Sequence, residues 1–402
     1  MLFSILCYNI NMKKYDFITI GGATEDITFH TREGLLIANR KDILRQKLMA
    51  FEYGAKVKID RSNSTFGGGA ANAAVSFSRL GFKAGALLAI GDDDRGKKII
   101  KNLKKEKVDI SMVHKIKGEE SGYSFILTGS DNEHIVFSNR GANSQLSIIN
   151  YQLSIFSNTK WLYITSLSGN WEDVLKKIFS VKKIPLTPSN SPNPLYQGGT
   201  FRGVNFPLLT KEGVGGGFPL IVWNPGHRQL EKGASALGKY LKNTSVLIVN
   251  KDEAIELVVS CEEHCHRPVK FLNNIKNLAE IIQEFGPKIV VITDGRRGAY
   301  AFDGSHFYFQ SAAKEKKRIN TTGVGDAFGS SFIAGLEIYP APFEQSNCNN
   351  SIKEEGKRKE LPKRCGVYKG DIKRAMNLAA RNAASVVSHL GAQAGLLKKK
   401  NI

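Results

Sequence analysis

Three short apolar runs punctuate this chain: Phe17–Gly22, Val246–Asn250 and Ile289–Gly295. Each is too short for a helix, rich in β-branched residues and closed by glycine or a polar residue, the pattern of strands buried on both faces of a parallel sheet. Between them apolar positions recur at helical spacing, as in Gly96–Leu103 and Leu278–Phe285. Strand and helix in alternation predict an α/β fold, a doubly wound and mostly parallel sheet flanked by helices. Two other stretches, roughly 28–65 and 121–140, alternate with period two instead, as in Lys56–Asp60 and Tyr123–Leu127, and predict a separate small set of strands.

Two segments break the pattern. The stretch Pro185–Pro219 holds six of the twelve prolines, seven glycines and only Arg202, Lys211 and Glu212 as charges. Such a composition cannot build a core and reads as an insertion over 185–218. Joining what precedes Pro185 to Pro219 restores an uninterrupted strand running into a turn. A second, polar insertion is expected over 341–367, and residues 1–12 read as an N-terminal extension, with Met12 as an alternative start.

Charge changes the picture less than its size promises. With 57 Lys+Arg against 37 Asp+Glu the chain carries +20. The lysines are scattered through amphipathic stretches such as Lys97–Lys107, without a basic domain interleaved with aromatics, so a solvated surface is expected and no nucleic-acid partner. No apolar run reaches about 18 residues, so no membrane span is expected. Five irregularly spaced cysteines fit a reducing compartment, and a cytoplasmic location is expected. Cys261–His266 clusters two cysteines and two histidines. A zinc reading is set aside at this level because no second Cys-x-x-Cys or His-x-x-x-His pair accompanies it.

The candidate chemistry sits in glycine-rich turns. In Ile319–Phe328, Gly323, Val324 and Gly325 lead into a helix whose apolar positions are Phe328, Phe332, Ile333 and Leu336. Backbone N–H groups at such a helix start can hold an anion, and Asp326 beside them can accept a proton. In Phe66–Gly81 three glycines run into a small-residue helix carrying Asn72. Taken together the two segments resemble the paired signatures of the PfkB, or ribokinase-like, carbohydrate kinase family. The resemblance extends from Lys13 to Gly395 outside the insertions, giving one kinase domain over 13–402.

That resemblance implies an ATP-dependent phosphotransferase acting on a sugar hydroxyl, with ribose or a related sugar favoured and magnesium required. It implies catalysis by Asp326 with Gly323, Val324 and Gly325, and sugar binding by Asp26 at the end of the first strand, Gly67, Gly68 and Asn72, with Arg140 and Asn143 nearby. Thr293, Gly295 and Gly298 are expected to border ATP, while Asn250 and Glu253 match an Asn-x-x-Glu motif expected at ATP and, through water, at magnesium. The period-two stretches become a lid that covers the sugar, with a homodimer contact as a further expectation. Asn320 stands where the pattern usually has Asp, which leaves a monovalent cation open. Ala380 stands where Asn or His often meets adenine. Nucleoside and phosphosugar acceptors stay open: lid aromatics Phe29, Phe51, Tyr53 and Tyr123 would serve the first, and Arg32, Lys56, Lys58 and Arg61 the second. The rival of another class is a catalytically weak sugar-binding or regulatory protein.

Overall fold

The computed structural model describes residues 15–38, 47–129, 134–181, 219–339 and 370–402. The extension 1–12 and the insertions expected over 185–218 and 341–367 lie outside the described residues. In the first half of the chain the strands are β1 (Tyr15–Gly21), β2 (Thr24–His30), β3 (Leu35–Ala38), β4 (Lys47–Ala50), β5 (Arg61–Gly67), β6 (Ala84–Gly91), β7 (His114–Ile116), β8 (Tyr123–Thr128) and β9 (His134–Asn139). The second half adds β10 (Thr159–Ile164), β11 (Leu220–Trp223), β12 (Val246–Asn250), β13 (Ile289–Thr293), β14 (Ala299–Phe302) and β15 (Phe307–Gln310).

One sheet dominates, in the order β15-β14-β13-β12-β11-β10-β1-β6-β7. Every pairing from β13 to β7 is parallel, and only β14 and β15 at one edge run antiparallel. Helices cover both faces, so the central strands are buried throughout: all eight residues of β6 and six of seven in β1. Unbroken apolar runs are therefore the pattern this environment demands.

Each face has its own core. On one, Phe17 of β1 stacks on Phe77 of the Gly69–Arg79 helix at 3.9 Å between ring centroids, and Trp161, Tyr163 and Phe332 complete the packing beneath the helices Val324–Ile338 and Ile372–Val387. On the other, Leu162, Ile164 and Trp223 pack under the Trp171–Ser180 helix and its neighbours.

A second sheet of four strands, β5-β2-β8-β9, is separate from the first, and β3 and β4 pair antiparallel in a third sheet of two strands. Of the period-two segments, Tyr123–Leu127 lies in β8 of the four-stranded sheet, whereas Lys56–Asp60 forms no strand and belongs to the connection between β4 and β5. β2 pairs antiparallel with β5 and parallel with β8, and its register sets Asp26 opposite Thr65 and Ser124. Asp26 thus stands within the first strand of the small sheet, not at the end of β1 as the sequence implied. The two-residue turn Gly22–Ala23 between β1 and β2 carries the chain across before the run of apolar residues would have ended a longer strand.

Candidate active site

Sheet order fixes where to look. β1 lies between β6 and β10, so successive connections leave it toward opposite edges, and a crevice opens at the carboxyl ends of β1 and β10. A small cleft, with about 40 Å3 of enclosed space, occupies that place. Gly21 at the end of β1 and Gly22 after it, Gly68 and Gly69 at a helix start, and Ser166 and Ser168 after β10 help form its walls.

Asp326 reaches the same place from the first turn of the Val324–Ile338 helix. Its Oδ2 accepts a 2.8 Å hydrogen bond from Asn72 Nδ2. A Cβ on Gly69 would stand 3.2 Å from Asp326 Oδ1, so glycine there keeps the carboxylate uncrowded. Burial raises the pKa of Asp326 above the ordinary carboxylate value, the Asn72 bond works the other way, and the charge of Asp26 raises it further. A carboxylate shifted in this direction is a stronger base once ionised.

Asp26 is only 4 % exposed, and burial likewise raises its pKa against the opposing bonds of Thr24 and Ser124. Thr24 Oγ1 donates to its Oδ1 at 2.9 Å. Any Cβ on Gly67 would collide with Asp26 Oδ2, and one on Gly68, whose φ is +90°, would lie 2.5 Å from the backbone of Gly22 and Ala23. The glycine triplet is therefore a steric requirement of bringing β2 and the helix start together.

At the other glycine turn Gly323 adopts the left-handed conformation, φ +75°, and caps the helix. Val324 N–H makes only a long 3.4 Å bond to Thr321 O, and the N–H groups of Gly325 and Asp326 have no acceptor among the described residues. A Cβ on Gly325 would meet no protein atom within 4 Å, so packing does not require glycine there. Open amides at a helix start with room for close approach suit a phosphate. Asn320 Oδ1 accepts from Thr322 N at 2.6 Å, which shapes the turn leading in.

Several expected binding residues turn out to be occupied by the protein itself. Asn72, 2 % exposed, gives its amide nitrogen to Asp326 and accepts at Oδ1 from Gln393 Nε2 at 3.0 Å. Asn143, 4 % exposed, pairs with Ala23 through both backbone groups, at 3.0 and 2.9 Å, and pins the turn between the two sheets. Arg140 does line the cleft. Ala380 lies on the buried face of the Ile372–Val387 helix, packed into the core.

The nucleotide motifs fall on the neighbouring strands. Asn250 ends β12 and Thr293 ends β13, paired in register. Asn250 Oδ1 accepts from Glu253 N and Glu253 Oε2 accepts from Asn250 N, both at 2.8 Å, a reciprocal capping box on the Lys251–Val259 helix. Burial raises the pKa of Glu253, with Glu256 and Asp252 adding to the shift. Gly295 and Gly298 take φ of +54° and +115° around a single 3-10 turn, and a Cβ on Gly298 would strike Gln310 O.

Sequence reasoning missed Gln393. It follows the last helix, contacts Asn72 from 321 positions away, accepts from Asn102 Nδ2 at 2.8 Å, and has its carbonyl held by Arg79 at 2.6 Å. Asn382, fully buried, similarly donates to Ser331 Oγ and Ala327 O while accepting from Leu397 N. No local pattern marks either residue.

The model of the pfkB family carbohydrate kinases matches residues 41–203 and 228–399. The chain belongs to that family. As a pfkB family kinase it is a phosphotransferase, and relatives from other organisms carry sugar kinase names. It is 23 % identical over 329 residues to the ATP-dependent 6-phosphofructokinase of Thermoanaerobacterium thermosaccharolyticum, covering 81 % of this chain and 82 % of that one. Over 285 residues it is 25 % identical to the 5-dehydro-2-deoxygluconokinase of Clostridium perfringens, covering 68 % and 72 %. In fold this pfkB kinase is similar to Arabidopsis thaliana ribokinase complexed with ribose and ATP, with a TM-score of 0.65 at 16 % identity over 96 % of this chain and 97 % of that one. Among the described residues no helix is long and apolar enough to cross a membrane.

Proposed function

We propose that this kinase transfers the γ-phosphoryl group of ATP to a hydroxyl of a sugar or sugar-like alcohol, with a ribose-like carbohydrate as the favoured acceptor. The observation that carries the reading is Asp326 at the cleft, base-shifted by burial, on the same helix start as the open N–H groups of the Gly323–Gly325 turn. The acceptor hydroxyl gives its proton to Asp326 as it attacks phosphorus, and the N–H groups stabilise charge on the transferred phosphoryl oxygens. Asp26 accepts hydrogen bonds from other acceptor hydroxyls. Asn72 holds the Asp326 carboxylate in position, a role its hydrogen bonds support better than direct sugar contact.

ATP lies across the ends of β12 and β13, beside Asn250, Thr293, Gly295 and Gly298. Magnesium favours oxygen donors and keeps several waters. Glu253 fits this: Oε2 is spent on the cap, and Oε1 has no hydrogen-bond partner among the described residues. The ion supplies charge neutralisation at the nucleotide phosphates. Asn250 Oδ1 is committed to the Glu253 amide, so of the two residues Glu253 carries the magnesium assignment.

A second reading of the acceptor has its own support. Arg140 lines the cleft, and the neighbouring charge that acts on it is that of Arg228, not of an acidic group. Desolvation by its surroundings and repulsion by Arg228 lower the pKa of Arg140. An acceptor bearing a carboxylate or phosphate would relieve both. The names of the gluconokinase and phosphofructokinase relatives agree with it. Of the lid cations expected for this task, the Arg32 side chain is 89 % exposed and faces Asp60 at 3.7 Å.

Turnover against neutral sugars, sugar acids, phosphosugars and nucleosides, repeated with Arg140→Gln, tests both readings. Phosphorylation of an acceptor from any of these groups supports the kinase; a KM for that acceptor raised by about tenfold or more in Arg140→Gln, the loss of a charge-assisted bond, selects the anionic acceptor. No turnover across the panel would leave the binding-protein reading. We also place the kinase in the cytoplasm, in keeping with free Cys261 and Cys265.

A further inference from the structure

The Cys261–His266 turn is not absorbed by phosphoryl transfer. It follows the Lys251–Val259 helix, whose opposite end carries the Asn250–Glu253 cap. Nine residues at about 1.5 Å each put roughly 14 Å between the two ends, so the turn lies away from the nucleotide. Its backbone folds back on itself: His264 N and Cys265 N both donate to Cys261 O, at 2.9 and 3.0 Å. That fold brings side chains three positions apart onto one side. A ring nitrogen of His264, the sulfur of Cys261 and a carboxylate oxygen of Glu263 all lie within 4.8 Å of one another.

A second observation is independent of that clustering. His264 is 8 % exposed, and its Nδ1 is buried with no hydrogen-bond partner among the described residues. Buried polar groups are ordinarily satisfied, so an orphaned imidazole nitrogen calls for a partner that the described residues do not provide. We propose that Cys261, Glu263 and His264 bind a zinc-class divalent ion, with water in the fourth position. Thiolate, imidazole and carboxylate together suit zinc rather than magnesium or calcium, and Cys-x-x-His spacing suits a single turn. The end of a helix also carries negative partial charge, which favours a cation there. The ion ties down the turn after the helix; no step of phosphoryl transfer passes through it.

Cobalt reports on such a site because a thiolate ligand gives a charge-transfer band and tetrahedral coordination gives intense visible bands. Full-length, metal-stripped protein titrated with Co2+ should develop both at one ion per chain and lose them to added Zn2+. Cys265→Ser should keep the spectrum, since Cys265 is exposed and its thiol donates to Glu262 O instead. Cys261→Ser and His264→Ala, checked for folding by circular dichroism, should abolish it. Glu263 is exposed, so Glu263→Gln should fold normally and weaken Co2+ binding by at least about tenfold, the effect that even an outer-shell change produces. Absence of the charge-transfer band in the wild-type protein would overturn the site, as would its survival in Cys261→Ser or an unchanged affinity in Glu263→Gln.

Discussion

Asp326 is held in an environment that works against its own ionisation, and this has two measurable consequences. As a base it must be ionised, so kcat/KM should fall on the acid side at a pH above the ordinary carboxylate value of 3.8. Asp26→Asn removes a like charge, so the acid limb should move to lower pH even though acceptor binding suffers; a limb that stays in place would remove Asp26 as a cause of the shift. The second consequence concerns stability. A folded-state pKa raised above the unfolded one means the fold binds the proton more tightly, so this contribution is present at low pH and lost as pH rises through the folded value. Asp326→Asn should therefore melt at a higher temperature than wild type at neutral pH, with the difference closing as pH falls through the raised folded value and gone by about pH 3.8. Equal melting temperatures at neutral pH would contradict the strained carboxylate.

Between elements, the site depends on contacts remote in sequence. The segment Gly391–Leu397 braces it: Ala392 packs against Gly323, Gln393 bonds Asn72, and Arg79, itself paired with Glu106 at 2.8 Å, clamps the Gln393 and Leu396 carbonyls. Gln393→Ala should lower kcat by up to about 10²-fold, the cost of a misplaced catalytic group, with KM nearly unchanged. A matching rise in KM would show a general loss of structure instead. At the nucleotide end, Asn250→Ala removes the cap of the Lys251–Val259 helix and should cost about 1 kcal/mol in urea unfolding. These elements also show what the sequence discloses. β12 begins and ends where its apolar run does, because a strand buried on both faces leaves no polar position to blur its limits. Asp326 and its glycines were legible because anion binding at a helix start is a local matter. Gln393, Asn382 and the working partners of Asn72 were not, since hydrogen bonds spanning 15 to 321 positions leave no local pattern. Asp26 was found but set on the wrong strand, because two strands separated by a two-residue turn read as one.

At the scale of the molecule, the small sheet and its hairpin leave apolar side chains facing solvent: Leu35 is 73 % exposed, Phe137 57 %, Leu36 51 % and Val136 49 %. Large apolar side chains exposed on these small strands support the proposal of a lid-mediated homodimer, in which a second copy covers some of them. Sedimentation at micromolar concentration should give a dimer for the wild-type chain and a monomer for Leu36→Lys/Phe137→Lys; a monomeric wild type would remove the proposal. The large sheet, for its part, positions the cleft at the divergence of β1 and β10, and the proposed chemistry rests on Asp326 beside its Gly69 wall. The most direct test is therefore phosphoryl transfer from ATP by wild-type protein and Asp326→Asn at saturating acceptor and magnesium. Wild-type turnover reduced by about 10²–10⁴-fold in the variant, with acceptor binding kept, is the result predicted for a positioned general base. Turnover that survives the substitution would contradict the assignment of Asp326.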